Sequence, residues 1–381
     1  MKQPTLVRGE RPGEYWAHFA SGAAVQLHAS RTRRYPGVRS HAPDTSAIYS
    51  TIGQSLPPTA RVLDVGTGAG VGALVLASRS ERVVGVDIDG AALAFAREWA
   101  PRASFVRGDA ALGSVLPDAD VAVLVDVLGH VVDPVAVMRN VRRQLRASSF
   151  VWIAEPLAHP TQQLSAPARR AFSRGELQQL LSISGLVAKR WFGEGSGFVA
   201  CVAGCREGNA YEVVEAGDRA CQRGLHEVAE GHFEQARRSG DAALACEAEL
   251  RLGTLFEELG MFAEASACYF ELKGKAPEDP RAMALLARLQ ARLGRGYEAL
   301  ELARSAVELD PASRVAVTCL ATVAEALEHR DTVSAWRMAH ALAPDNQAVG
   351  AALARHLTEA GEREQASEIL ARVGQYARPQ S

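Results

Sequence analysis

The first half of the chain alternates short apolar runs with longer stretches of helical period. Five apolar runs are predicted to be strands, at 61–65, 83–86, 104–107, 121–125 and 150–154. Between them, 71–77, 91–99 and 134–145 have helical composition, and the last places arginines opposite an apolar stripe. Continuous apolar strands that alternate with helices indicate an α/β fold with a parallel sheet covered on both faces.

After residue 155 the pattern predicts a different end to the sheet. A capping-box pattern, Ser173-x-x-Glu176, indicates a helix over 173–184. The glycine-rich segment 193–196 favours a hairpin turn. The two strands that this turn would join are 186–192 and 197–203. The sequence therefore predicts a Rossmann-like sheet of seven strands, five parallel ones followed by an antiparallel pair.

Two flanking regions complete the predicted domain organisation. Residues 1–58 carry weakly helical patches near 14–27 and 45–56, and Pro57-Pro58 then ends the helical pattern. Near residue 206 the strand signals stop and the chain becomes rich in Ala, Leu, Glu and Arg. We therefore predict an N-terminal helical segment at 1–58, an α/β domain at 59–205 and an all-α region at 206–381.

The all-α region also repeats. A turn position recurs after 36, 34, 34 and 33 residues, at Gly224, Gly260, Gly294, Glu328 and Gly361. Small residues stand seven positions earlier, at Gly217, Gly253, Ala287, Ala321 and Ala354, and prolines close successive units at Pro277, Pro311 and Pro344. This period resembles the tetratricopeptide repeat, and about five units fit. The resemblance implies a helical solenoid that recognises a protein or peptide partner.

Charge and cysteine usage narrow the classes of partner. The 381 residues carry 42 basic and 44 acidic side chains, so no strong field favours nucleic acid or an anionic membrane. No stretch of about 18 apolar residues is present and the start of the chain does not resemble a signal peptide. The six cysteines show no C-x-x-C spacing, and the histidines show no metal-ligand spacing. We expect a cytoplasmic protein without a metal site.

The candidate chemistry begins at the turn after the first strand, Asp64-x-Gly66-x-Gly68-x-Gly70. Glycines let backbone N–H groups approach a ligand, and the following helix favours negative charge at its N-terminus. The same segment fits two adenosine cofactors, because Gly68-x-Gly70-x-x-Ala73 also satisfies the dinucleotide fingerprint. Asp87, at the end of the second strand, suits a ribose diol in either case. The alternative for Asp87 is an N-cap of the helix that begins near Gly90.

Downstream residues separate the two cofactors. The glycine-rich motif at 64–70, together with the later segments 105–110 and 120–134, resembles class I S-adenosylmethionine-dependent methyltransferases. The run from Asp120 to Pro134 looks like the ubiquinone/menaquinone-biosynthesis type, with Gly129 in place of a glutamate. The resemblance implies S-adenosylmethionine rather than a nicotinamide cofactor, and it implies a methyltransferase sheet followed by the repeats.

The resemblance also implies a role for each matched residue. Gly66, Thr67, Gly68 and Gly70 would cradle the methionine portion, with Asp64 orienting the turn or meeting the amino group through water. Asp87 would hold the ribose hydroxyls, Ile88 would pack on adenine, Asp109 would take its amino group, and the N–H of Ala110 would reach a ring nitrogen. Asp126 and the loop 127–130 would border the transferred methyl group.

A hydroxyl acceptor also requires removal of its proton, for which histidine is suited near neutral pH. His130, in the loop after the fourth strand, is the leading candidate, and the alternative is a structural histidine that closes this loop. His159 is a weaker candidate. Three further histidines, His18, His28 and His41, lie in the N-terminal segment at 1–58, which by the resemblance would cover the substrate.

The predicted function is transfer of a methyl group from S-adenosylmethionine to a small-molecule acceptor, on oxygen more readily than on carbon or nitrogen. Two alternatives stay open. One is a repeat scaffold whose cofactor fold no longer catalyses a reaction, and the other is a protein or RNA methyltransferase. The intact Asp64, Asp87 and Asp109 set disfavours the scaffold, and the absence of an Asn/Asp-Pro-Pro-Tyr tetrapeptide or of a basic, aromatic surface pattern disfavours the other.

Overall fold

The structure is a computed structural model that describes residues 45–113, 116–159, 168–192, 197–206 and 210–377, with the backbone of three strands at 5–8, 14–18 and 24–28. The chain divides into two compact units. An α/β unit comprises Met1–Pro156 and Leu186–Glu207, and a helical unit comprises Leu157–Gly185 and Gly208–Ser381. No helix in the described part of the chain is long and apolar enough to span a membrane.

The N-terminal segment is not helical where the sequence predicted its first helix. Strands β1 (Thr5–Arg8), β2 (Glu14–His18) and β3 (Ala24–His28) form an antiparallel sheet in the order β1-β2-β3. The helix predicted near 14–27 is therefore wrong. Short apolar runs do not separate helix from strand by periodicity, and here pairing of Glu14 with His28 across the hairpin decides the outcome. The second patch does form a helix, α1 (Thr45–Ser55).

The main sheet is the predicted one. Its elements in chain order are β4 (Arg61–Val65), α2 (Val71–Ala77), β5 (Arg82–Asp87), α3 (Gly90–Trp99), β6 (Ser104–Arg107), β7 (Ala119–Val125), α4 (Pro134–Arg143), β8 (Leu145–Pro156), β9 (Leu186–Phe192) and β10 (Phe198–Cys205). The strand order is β6-β5-β4-β7-β8-β10-β9. Strands β4 to β8 pair in parallel, and β10 pairs antiparallel with both β8 and β9. The turn predicted at 193–196 lies outside the described residues.

This strand order creates a reversal point between β4 and β7. The chain runs outward from β4 to β6 on one side and then crosses to β7 on the other. Ligands of open parallel sheets bind at the carboxyl ends of the strands beside such a point. On one face of the sheet, α1 and α2 share an apolar core with β4, β7 and β8 that includes Tyr49, Ile52 and Leu76. A side chain at Gly72 would overlap the Tyr49 ring, so the glycine lets the two helices meet closely.

The helical unit contains α5 (Arg174–Ile183) followed by five helical hairpins. The hairpin helices are α6 (Ala210–Gln222), α7 (His226–Arg237), α8 (Ala242–Glu258), α9 (Phe262–Lys275), α10 (Pro280–Arg292), α11 (Gly296–Leu309), α12 (Arg314–Ala326), α13 (Thr332–Leu342), α14 (Gln347–Glu359) and α15 (Arg363–Ala377). Every recurring turn position has a positive φ, including Glu328 at 50°. The sequence placed 157–185 in the α/β domain, but in the structure this segment packs with the helical hairpins.

The small positions of the repeat are close helix contacts. Gly217 lies under the Phe233 ring and Gly253 under the Tyr269 ring, where a Cβ would overlap each ring. Ala287 and Ala321 are fully buried at the same position of later hairpins. Antiparallel helices can approach this closely only where one side contributes almost no side chain. The spacing in the sequence therefore reflects packing within each hairpin.

Candidate functional site

Each of the five parallel strands brings one carboxylate to the same edge of the sheet. The five acids are Asp64 on β4, Asp87 at the end of β5, Asp109 after β6, Asp126 after β7 and Glu155 near the end of β8. Parallel strands have their carboxyl ends at one edge, so the topology gathers residues that are far apart in sequence. Four of the five were predicted from the sequence as site residues, and Glu155 was not.

The glycine-rich turn after β4 leaves open space at its centre. Gly66, Gly68 and Gly70 have φ values of 68°, 53° and 79°, which disfavour residues with a side chain. The N–H groups of Gly66 and Thr67 donate to the Val86 carbonyl at 2.8 and 3.1 Å, which joins the turn to β5. A Cβ built at Gly68 would meet no atom within 4 Å. The turn is therefore a backbone cradle, open where a ligand would approach.

Asp64, buried beneath the surface of the sheet edge, supports this turn through its carboxylate. Its carboxylate accepts hydrogen bonds from the Thr67 hydroxyl at 2.6 Å and from the Tyr49 hydroxyl at 3.1 Å. The side chain is fully buried, and burial raises the pKa of Asp64 to about 7, with a further contribution from the charge of Asp87. Of the two roles considered for Asp64, the geometry matches orientation of the turn.

Asp87 joins the end of β5 to the centre of the turn. One carboxylate oxygen accepts from the Gly68 N–H at 2.8 Å and the other from the Asp89 N–H at 2.9 Å. The N-cap of α3 is Asp89, which accepts from the N–H groups of Ala91 and Ala92. The alternative of Asp87 as the helix cap is therefore wrong. Its neighbour Ile88 is 61% exposed.

The loop after β6 is held by a residue that the sequence did not single out. Asp109 accepts from the Ala111 N–H at 2.8 Å, which forms a tight local turn. Asn140, buried on α4, donates to the carbonyls of Ala110 and Ala111 at 3.0 and 2.7 Å. Because these carbonyls are bound from the α4 side, the loop has a fixed orientation at the edge of the sheet.

The loop after β7 is organised around Glu155. This fully buried carboxylate accepts three consecutive backbone N–H groups, from Val127 at 2.9 Å, Leu128 at 2.8 Å and Gly129 at 3.0 Å. Burial raises the pKa of Glu155 to about 7 and the charge of Asp126 adds to this rise, while the three N–H groups act in the opposite direction. Successive N–H groups that converge on an anion form a nest, which fixes the loop backbone.

Asp126 and His130 close the same loop. Asp126 has a positive φ of 56°, which is unusual for a residue with a side chain. His130 Nε2 lies 3.1 Å from an Asp126 carboxylate oxygen, and both side chains are mostly buried. This contact is what the structural alternative for His130 predicts. A histidine held in this way by a carboxylate is also oriented for proton transfer.

The other candidate histidines are not brought to this edge by any described contact. His159 is exposed and belongs to the helical unit. His18 and His28 lie at strand ends for which only the backbone is described, and His41 lies outside the described residues. No group of three or more His, Cys, Asp or Glu among the described residues could hold a metal ion.

Three supporting residues were missed in the sequence, for different reasons. Glu155 had a detectable signal, because a carboxylate directly after the apolar run 150–154 is expected to be buried and to need hydrogen-bond donors. Asn140 lies between buried Val137 and Val141 on α4, so its burial was also predictable but its partners were not. Tyr49 had no such signal, since Pro57-Pro58 separates its helix from its partner Asp64.

The strand order and the glycine turn define the class of fold. A seven-stranded sheet with five parallel strands, a terminal antiparallel pair and this turn after β4 is the class I methyltransferase fold. Residues 63–153 match the profile of a family described as a methyltransferase domain. The matched segment runs from β4 to β8 and includes four of the five carboxylates.

Two curated relatives come from strains CDC 1551 and H37Rv of Mycobacterium tuberculosis, and both are named "probable S-adenosylmethionine-dependent methyltransferase". Each is 32% identical over 158 residues, which is 40% of this chain and 56% of the relative. The chain thus spans about half the length of these relatives.

Solved structures share the sheet at low identity. A TehB-like S-adenosylmethionine-dependent methyltransferase from Corynebacterium glutamicum is 22% identical, with a TM-score of 0.36 over 42% of this chain and 92% of that one. The mitomycin 7-O-methyltransferase MmcR is 19% identical, with a TM-score of 0.35 over 42% of this chain and 54% of that one. The class of fold assigned above rests on the strand order of this protein.

Proposed function

We propose that this protein is an S-adenosylmethionine-dependent methyltransferase. The observation that carries the proposal is the set of five carboxylates at the edge of the sheet that also holds the open glycine turn. A sulfonium cofactor is positively charged, so a cluster of acids stabilises it electrostatically. The same acids would repel the pyrophosphate of a nicotinamide dinucleotide, which weighs against the second cofactor that fits the turn.

The described residues fit such a cofactor in shape as well as in charge. The turn Gly66, Thr67, Gly68 and Gly70 would receive the methionine portion, and a Cβ at Gly68 would meet no atom within 4 Å. Asp87 would take the ribose hydroxyls, since each carboxylate oxygen keeps an acceptor position besides its bond to Gly68 or Asp89. Exposed Ile88 would pack on adenine, next to Asp109 and Ala110.

When bound, S-adenosylmethionine supplies a methyl group attached to a positively charged sulfur. The contribution of the chain is to orient the acceptor and to remove its proton. His130 would accept that proton at Nδ1, because its Nε2–H faces Asp126, whose carboxylate at 3.1 Å would stabilise the charged ring. A group that takes a proton from a hydroxyl favours oxygen as the acceptor, so we propose O-methylation of a small molecule.

The helical hairpins support a further part of the proposal. They repeat every 33 to 36 residues, each hairpin turns at a residue with positive φ, and small residues recur at the helix contacts. These are the features of the tetratricopeptide repeat, and we propose that the array belongs to this class. Arrays of this kind commonly bind an extended peptide or a protein surface. A repeat scaffold without catalysis is the second candidate function.

Calorimetric titration of the full chain with S-adenosylmethionine tests the cofactor. We expect binding by the wild type, and weaker binding by about 1–3 kcal/mol in Asp87→Asn, because one charge-assisted acceptor is lost. Asp89→Asn is the matched control. It removes a charge two residues away, yet asparagine caps a helix as well as aspartate does, so affinity should change little.

The outcomes separate the candidate functions. Failure of the wild type to bind S-adenosylmethionine, together with binding of NAD, would support the dinucleotide alternative. Failure to bind either cofactor would support the scaffold. Equal losses in Asp87→Asn and Asp89→Asn would show that general charge, and not the Asp87 position, determines affinity.

A further inference from the structure

The segment Leu157–Gly185 belongs to the helical unit although it lies between two strands of the α/β unit in sequence. The start of the segment pairs with its middle, because Leu157 forms a β-bridge with Phe172 and the Ala158 N–H donates to the Phe172 carbonyl at 2.9 Å. Phe172 is 2% exposed. Ala158 and Ala171 are buried in one apolar cluster with residues of the last two hairpins, among them Val317, Trp336 and Leu353.

Polar contacts attach the same segment to two turns of the array. At the turn before α12, the Ser173 hydroxyl donates to Asp310 at 2.7 Å and Arg314 Nε donates to Glu176 at 2.9 Å. The Arg314 guanidinium also lies 5.8 Å from the centre of the Phe172 ring.

At the turn before α14, Asp345 accepts from Arg169 at 3.4 Å, and Arg170 lies 3.8 Å away. The arginines are 14% and 12% exposed, so these ion pairs are mostly shielded from solvent. Charge is therefore complementary at both turns.

The turn before α12 differs from the equivalent turns before α10 and α14, which we call its sister turns, at the positions that make these contacts. The three turns are aligned by their prolines and by the N-caps that follow, Asp279, Ser313 and Asn346. The residue that ends the preceding helix is Ala276, Asp310 or Ala343. The first helical residue is Pro280, Arg314 or Gln347. The residue after the proline is Glu278, Ala312 or Asp345.

These differences follow the contacts of the segment and not the needs of the repeat. Asp310 and Arg314 replace an alanine and a neutral or apolar residue at the sister turns, and both bind the segment. Ala312 replaces an acid and is buried in the apolar cluster with Ala158 and Ala171. Since the array forms its other turns without these residues, the repeat fold does not require them.

We propose that the turns before α12 and α14 form an intramolecular docking site for residues 168–176 of the same chain. The occupant of this surface is the segment inserted between β8 and β9. The docked segment is continuous in sequence with the α/β unit, because Leu157 follows directly after Pro156, the last residue of β8. The surface at these two turns is taken by the chain itself, and an external partner would bind elsewhere on the array.

Hydrogen–deuterium exchange on the full chain, without cofactor, tests the proposal. In the double variant Asp310→Ala with Arg314→Gln, we expect amides of 168–183 to exchange about tenfold faster or more, because two hydrogen bonds to charged groups are lost. Helices α9 and α10 should keep their wild-type exchange. Both substitutions install residues that the array already has at its sister turns, so the hairpins should still form.

Glu278→Ala is the control, since it removes an exposed acid at the turn before α10. It should leave exchange in 168–183 unchanged. Unchanged exchange of this segment in the double variant would overturn the proposal, and so would equal acceleration in the control or across all helices. Asp345→Ala applies the same exchange measurement to the turn before α14. These measurements do not depend on cofactor binding, so failure of the proposed function leaves them interpretable.

Discussion

Both units bury carboxylates, but they satisfy them with different partners. In the α/β unit, Asp64 accepts from two hydroxyl groups and Glu155 accepts from three backbone N–H groups. In the helical unit, Glu257 accepts from Arg288 at 2.8 Å and Arg292 at 2.9 Å, and both arginines belong to the next hairpin. Asp64 and Glu155 are held by neutral donors, whereas Glu257 is held by two cations together with one neutral donor, the Tyr269 hydroxyl at 3.1 Å.

This difference appears in the acidity of the groups. Burial raises the pKa of Asp64 and of Glu155 to about 7, whereas Arg288 and Arg292 help to hold the pKa of Glu257 below its usual value against the effect of burial. An acid neutralised by arginine contributes to cohesion between hairpins and presents little field to a ligand. An acid held by neutral donors has no counter-ion beside it, and its raised pKa leaves it partly protonated near neutral pH.

Removal of Glu155 should produce the largest effect. Glu155→Ala leaves three buried N–H groups in the 127–129 loop without an acceptor, so we expect the α/β unit to lose on the order of 5 kcal/mol of unfolding free energy. Denaturant titration followed by circular dichroism measures this loss. Glu155→Gln should lose less, because its amide oxygen still accepts from Val127 and Leu128.

Glu257→Ala is the counterpart in the helical unit. Its two arginines are 44% and 49% exposed and can turn to solvent when the acid is removed. We therefore expect a smaller loss than in Glu155→Ala. A larger loss of unfolding free energy in Glu257→Ala than in Glu155→Ala would contradict this comparison. It would mean that removing the acceptor of neutral backbone donors is not the more destabilising change.

The second largest expected effect is on the pH dependence of stability. The pKa of Asp64 is raised from 3.8 to about 7, so its folded form holds a proton more tightly than the unfolded chain does. The resulting stabilisation is complete below pH 4 and is lost as the pH rises through 7. Asp64→Asn removes this titration, and its stability relative to the wild type should rise by about 2–4 kcal/mol between pH 4 and pH 8. Thermal unfolding across this range measures the difference.

Asp120 gives a control of opposite sign. Hydrogen bonds from Arg61 lower the pKa of Asp120 to about 2, so its contribution is present above pH 4 and is lost as the pH falls through 2. Asp120→Asn should therefore leave the profile between pH 4 and pH 8 unchanged. If Asp64→Asn and the wild type keep a constant difference over that range, the buried acid is not titrating there.

The sequence predicted the sheet well because its signals are local. Continuous apolar strands, the glycines of the turn and the Asp133-Pro134 helix start each depend on neighbouring residues, and Asp133 is indeed the N-cap of α4. Asp87 was placed correctly at the strand end. What failed was the N-terminal helix, where β2 and β3 are short and cross-strand pairing decides the structure.

The supporting contacts of the site could not be predicted from spacing alone. Glu155 binds N–H groups 26 to 28 residues earlier, and Tyr49 binds Asp64 across the Pro57-Pro58 break. The docking of 168–176 on Asp310 and Arg314 spans more than 130 residues. Such partners depend on tertiary packing, which periodicity does not encode. The repeat spacing was visible because each hairpin packs against its neighbours in sequence.

The smallest expected effect lies at the one repeat turn without glycine among the five that the structure describes. Glu328 has a φ of 50°, where a residue with a side chain costs about 1–2 kcal/mol. Glu328→Gly relieves this strain but gives the unfolded chain more freedom, so we expect a net gain of about 0.5–1 kcal/mol and a melting temperature about 1–3 °C higher.

The reciprocal substitution is Gly294→Ala. Its φ is 77° and a Cβ there would meet no atom within 4 Å, so any loss of stability measures the backbone conformation alone. The two changes should shift the helical unit's melting temperature in opposite directions while cofactor affinity stays constant. A loss of stability in Glu328→Gly would indicate that the Glu328 side chain makes a favourable interaction that outweighs the strain of its turn.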